Sequence, residues 1–76
     1  MEEKVIIVLK GDKPYDISDT ALIKDYQTQK YIPEIDKLLD WRSYLMKVEP
    51  KGYWEEQTLV KEILATDYLL NLKQKI

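Results

Sequence analysis

The chain has 76 residues, 45% apolar and 34% charged, with twelve Lys and Arg against fourteen Asp and Glu for a net charge of −2. It holds no Cys and no His, which excludes a disulfide scaffold, a thiolate or imidazole metal site, and any Cys–His or Ser–His–Asp machinery. The composition is that of one small globular domain rather than a disordered segment.

Val5-Ile6-Ile7-Val8-Leu9 is a β-branched-rich run, and the Gly11 and Pro14 region after it has turn chemistry. A strand is expected over residues 3–10 and a short returning strand over 15–17, with Pro14 at its start or edge. Five consecutive apolar residues imply that both faces of the first strand are covered, because a half-buried strand alternates apolar with polar. A two-stranded sheet also has open edges. The face of Val5, Ile7 and Leu9 is therefore expected to take part in an intermolecular contact, with a partner or a second copy.

Ser18-Asp19-Thr20 precedes Ala21, Leu22, Ile23 and Tyr26. This predicts a short helix over 19–26 with Ser18 or Asp19 as its cap. Residues 27–30 are polar and read as a loop. Pro33 suits the first position of a longer helix over 33–48, with Glu34 and Asp36 in its first turn. Glu49 to Gly52 ends it. A last helix is expected over 53–72, with Glu55 and Glu56 at its start and Lys73 and Lys75 at its end. The short break folds the two long helices back on each other. The fold class is α+β: an N-terminal β-hairpin, then a short helix and an antiparallel helical hairpin, in a single domain.

Two polar residues fall on apolar arcs. Arg42 lies among Ile35, Leu38, Leu39, Leu45 and Met46. Asp67 is similarly placed in the last helix, unless Thr66 or Asp67 caps a final turn there. A hairpin folded about Pro50 and Lys51 sets Arg42 opposite Leu59 with Glu56 one turn nearer the loop. Opposite charges on facing apolar surfaces find each other, since a lone buried charge costs about several kcal/mol. An Arg42–Glu56 ion pair is expected.

The chemistry tests are mostly negative. Ser18 and Ser43 are the only serines and have no His to activate them. Two glycines cannot form a Gly-rich phosphate loop, and no spacing matches a calcium loop. No enzyme, cofactor or metal is expected. Nucleic acid is disfavoured, because Arg42 is the single arginine and the last helix opens with two acids, although Lys4, Lys10, Lys13 and Lys51 could form a modest patch. The start lacks a signal-peptide pattern, and no run approaches a membrane span, so a cytoplasmic location without a membrane partner is expected.

The informative excess is aromatic: six Tyr and two Trp with no Phe. Such amphipathic rings suit surfaces with one apolar and one wet side. At about 100° per residue, Trp41 and Tyr44 share the rim of the first long helix, and Trp54 lies off its helix's main arc near the loop. These three are expected to form a partner-binding aromatic cluster. The chain thus reads as a small module that docks on a larger protein of unspecified identity, regulatory or inhibitory. A small nucleic-acid-binding domain using the hairpin lysines and a subunit of a structural homo-oligomer are the alternatives.

Overall fold

A computed structural model describes residues 4–8 and 14–75. It comprises β1 (Ile6–Val8), β2 (Pro14–Asp16), α1 (Ala21–Gln29), α2 (Ile35–Lys47) and α3 (Tyr53–Lys75). The expected α+β layout is present: a two-stranded antiparallel hairpin, a short helix and two long ones. Leu9 and the turn residues up to Lys13 lie outside the described residues.

β1 falls within the expected 3–10, and β2 keeps its expected three residues one place earlier, starting at Pro14. Beyond Asp16 the Ile17 N–H still donates to the Val5 carbonyl (2.9 Å). The register pairs Ile6 with Asp16, Ile7 with Tyr15 and Val8 with Pro14. Past Asp16 the chain turns: Asp16 Oδ1 accepts from the Ser18 N–H (2.9 Å) and Ser18 Oγ accepts from the Val5 N–H (2.6 Å). Ser18 is therefore the tie between β1 and the turn, not the helix cap. The cap is Thr20, whose hydroxyl donates to the Ile17 carbonyl (2.7 Å) and accepts from the Ile23 N–H (3.4 Å).

Starting at that cap, α1 runs through the polar stretch 27–29 and stops at Lys30. There φ is 55° and the N–H donates to the Tyr26 carbonyl, an αL ending usually filled by glycine. Pro33 stands outside α2 rather than at its first position, and Glu34 is the cap residue without a side-chain bond. Asp67 does not break α3, which continues unbroken to Lys75.

The core is small. Ile17, Ile23, Leu38, Ala65, Leu69 and Leu70 form its buried cluster, so the hairpin and all three helices each contribute. α3 is the central element, packed by both α1 and α2. At about 1.5 Å per residue its 23 residues account for the molecule's longest dimension of 34 Å.

Within the chain one face of β1 is covered, and it is the face of Val5 and Ile7 that was expected to meet a partner. Ile7 and its partner Tyr15 face inward, and Val5 and Ile7 pack against the core. Ile6 and Val8 point outward and stay 53% and 66% exposed. α1 packs on α3 and leaves that outer face open.

Candidate functional site: an aromatic groove between the long helices

The site begins with the rotation of α2. Leu38 and Leu45, seven residues apart, are its buried positions and mark the line of contact with α3. At about 100° per residue, Trp41, Tyr44 and Val48 lie on one flank of that line and Arg42 on the other. Leu39 and Met46 lie beyond Arg42 and are exposed, Leu39 by 49% against 1% for Leu38. The inward arc is thus narrower than the apolar residues suggest. Arg42 sits at its edge rather than its centre.

α3 is rotated as well. Its fully buried positions are Ala65, Thr66 and Leu69, and two of these are small. Small side chains let a neighbouring helix approach closely. The Thr66 hydroxyl is satisfied within the helix by donating to the Glu62 carbonyl (2.8 Å). Of the apolar arc that helical spacing draws on α3, made of Leu59, Val60, Ile63, Leu64 and Leu70, Leu70 is buried and the other four are partly buried.

The two flanks of the α2–α3 seam differ. On one, Arg42 Nε donates to Asp67 Oδ1 at 2.7 Å. Arg42 therefore pairs with Asp67, about two turns further from the loop than Leu59, and not with Glu56, which is exposed in the first turn of α3. Counting residues outward from the loop misplaced the partner because it assumed side chains reach straight across. With both side chains about 40% exposed, the bridge is worth at most about 1 kcal/mol.

The other flank is open. Trp41, Tyr44 and Leu45 from α2, Val48 and Pro50 from the connection, and Trp54, Glu55, Thr58, Leu59 and Glu62 from α3 line a groove of about 500 Å³. Trp41 and Tyr44 stack with ring centroids 5.4 Å apart and planes 21° from parallel. Trp54 is 80% exposed and meets Tyr53 edge-on at 5.4 Å. Its position is fixed by the turn: Glu55 folds back so that Oε2 accepts from the Lys51 N–H (3.0 Å), and the Gly52 carbonyl receives the Glu56 N–H (3.0 Å). This resembles a capping box displaced by one residue. The three aromatic residues singled out in the sequence are brought together.

Electrostatically the groove is one-sided, for its lining includes two carboxylates and no cation. Glu55 is committed to the turn. The Glu62 carboxylate makes no hydrogen bond or ion pair within the described residues. Burial holds its carboxyl above the ordinary glutamate range, and repulsion from Asp19 adds to this. Asp19 itself is bridged to Lys61 at 3.6 Å. Trp41 and Glu62 also line an adjoining hollow with Ala21, Leu22, Tyr31, Pro33, Lys37 and Leu38, so they form the sill between the two depressions. Sequence reasoning missed Glu62. The available signal was its spacing of three, four and seven residues from Ala65, Thr66 and Leu69, which puts it on the same face.

The remaining sequence candidates are not part of the groove. Val5 and Ile7 face the core, and Leu9 lies outside the described residues. Among the described residues no group of three or more His, Cys, Asp or Glu could hold a metal ion, and no helix is long and apolar enough to cross a membrane. No protein-family model matches the chain, and no curated protein or solved structure shows a significant likeness to it.

Proposed function

We propose that this chain is a non-enzymatic protein-binding module that docks on a larger partner, with a regulatory or inhibitory role, through the groove between α2 and α3. The observation that carries this reading is the convergence of Trp41, Tyr44 and Trp54 on one open apolar groove. An isolated domain gains nothing by holding an indole 80% in water; a binding surface gains an anchor of the residue type that dominates interface energetics. The carboxylates lining the groove repel phosphate, which weighs against nucleic acid as the ligand of this surface. A cytoplasmic setting is consistent with the absence of Cys.

The test is affinity capture from the native host, followed by titration of each recovered protein in purified form. Replacing Trp54 with Ala should weaken the authentic interaction by more than about 1 kcal/mol while leaving thermal stability unchanged. Unchanged affinity for every recovered protein would remove the groove as the docking surface.

A second reading has its own observation. Ile6 and Val8 stand exposed side by side on the outer face of a two-stranded sheet, a surface suited to self-association. Sedimentation of the purified chain against an Ile6→Thr, Val8→Thr variant separates the two, since only self-association through β1 responds.

A further inference from the structure

Glu62 is a partly buried acid that the fold itself does not use among the described residues. It shares a helix face with the buried Ala65, Thr66 and Leu69, is partly buried, and has no partner for its carboxylate among the described residues. It borders the same two depressions as Trp41. A carboxylate and an indole bounding one spot offer a cation both an opposite charge and a π-face.

Resting on the docking reading above, we propose that the groove receives an apolar helix of another protein carrying one arginine, whose guanidinium lies between the Trp41 ring and the Glu62 carboxylate. The helical form follows from the course of the groove along the seam between two packed helices, the place a third helix takes. Trp41, Tyr44 and Val48 stand three and four residues apart along α2 and its C-cap, and Trp54, Thr58 and Glu62 stand four apart along α3. The occupant therefore lies along the seam as a third helix would. Arginine fits better than lysine because its planar group can stack on the indole while its N–H fork faces the carboxylate. The charge is complementary, since no cation lines the groove. A second copy of this chain does not supply the occupant, for its single arginine, Arg42, is held by Asp67 on the opposite flank.

The test is a selection on the intact chain from a displayed library of helical peptides with one apolar face, randomised at the central position of that face. Peptides with arginine there should be enriched, and their affinity should fall about tenfold for the Glu62→Gln chain. Replacing the peptide arginine with citrulline, its neutral near-isostere, should give a similar loss, and the two changes together little more than either alone. Enrichment of neutral peptides dependent on Trp54 would overturn the arginine while leaving the docking reading in place. So would arginine peptides indifferent to Glu62→Gln. Selection of nothing that depends on Trp41 or Trp54 would overturn both.

Discussion

Two adjacent leucines decide whether α2 is rotated as described. Leu38 is 1% exposed and Leu39 49% exposed, so truncating each to Ala asks the same chemical question at two depths. The change removes three carbons, worth about 2–2.5 kcal/mol of transfer free energy when the side chain is fully buried. At Leu38 the space left among Ile17, Ile23, Ala65 and Leu69 adds a cavity penalty, because the surrounding side chains collapse only partly. Leu38→Ala should therefore cost about 3–4 kcal/mol. At Leu39 only half of the transfer contribution is at stake and no cavity forms, while alanine is a slightly better helix former. The cost should stay at or below about 1 kcal/mol.

For a domain of this length total stability is on the order of 4–11 kcal/mol, so the first variant loses a large fraction of it and the second keeps most. Urea unfolding followed by far-ultraviolet circular dichroism measures both, with the midpoint shift taken as stability only where the slope is unchanged. Equal costs at the two positions would refute the rotation. Arg42 would then sit at the centre of the contact rather than at its edge.

Three further outcomes follow from local chemistry. Lys30→Gly should raise stability by about 0.5 kcal/mol, because relief of the αL conformation (φ 55°) outweighs the exposed contact of the Lys30 ammonium with the Tyr26 ring; a loss of stability would show the contact to dominate. The folded Glu62 carboxyl is raised by burial and by Asp19, so its contribution is fully present below the ordinary glutamate range and is lost as pH rises through the folded value. Glu62→Gln should consequently be more stable than the parent near about pH 7 and equal to it near about pH 3, as measured by urea unfolding at both. The Asp16 carboxyl is held below its ordinary range, first by the Ser18 N–H, then by the Ser18 hydroxyl, with the charges of Lys4 and Lys61 adding a little. Its contribution is present above that range and lost as pH falls through the folded value, so Asp16→Asn should flatten the acid limb of the stability profile; an unchanged limb would remove Asp16 from the account.

Element types were readable because they rest on local chemistry. The β-branched run, Pro33 before α2, and the break at Pro50 and Gly52 between two helical patterns each speak for themselves. Boundaries at α1 were less readable: Ser18, Asp19 and Thr20 are all acceptable caps, and it is the tie from Ser18 Oγ to the Val5 N–H, thirteen residues back in the chain, together with the Thr20 hydroxyl's own bonds to Ile17 and Ile23, that decides among them. Helix rotation was the real loss. α3 carries apolar residues on every side, so periodicity gave it no strong direction. Its fully buried positions include Ala65 and Thr66, which count for little in an apolar tally. α2 misled in the opposite sense, since Leu39 and Met46 widen its apolar arc without being covered. The aromatic cluster survived these errors because Trp41 and Tyr44 lie on the flank of α2 in either rotation, and Trp54 is held by the turn.

The asymmetry of the α2–α3 seam links these observations to function. Both flanks carry an acid from α3, Asp67 on one and Glu62 on the other, but only Asp67 meets an arginine from α2. Where Arg42 closes one flank, the groove flank has Trp41 and Tyr44, side chains too broad to seal the seam and unable to neutralise a carboxylate. Filling that flank from within would need only a long cationic side chain in place of Tyr44, by the same logic that places Arg42 opposite Asp67. The chain instead leaves an indole in water and a half-buried acid unpaired, and both features work against the stability of a domain with a small core. A partner that covers Trp54 and neutralises Glu62 removes both penalties at once. Because it binds only the folded form, it also returns stability to the domain in proportion to its affinity. Open groove, exposed tryptophan and the Glu62 carboxylate without a partner among the described residues are all accounted for by the occupant proposed above.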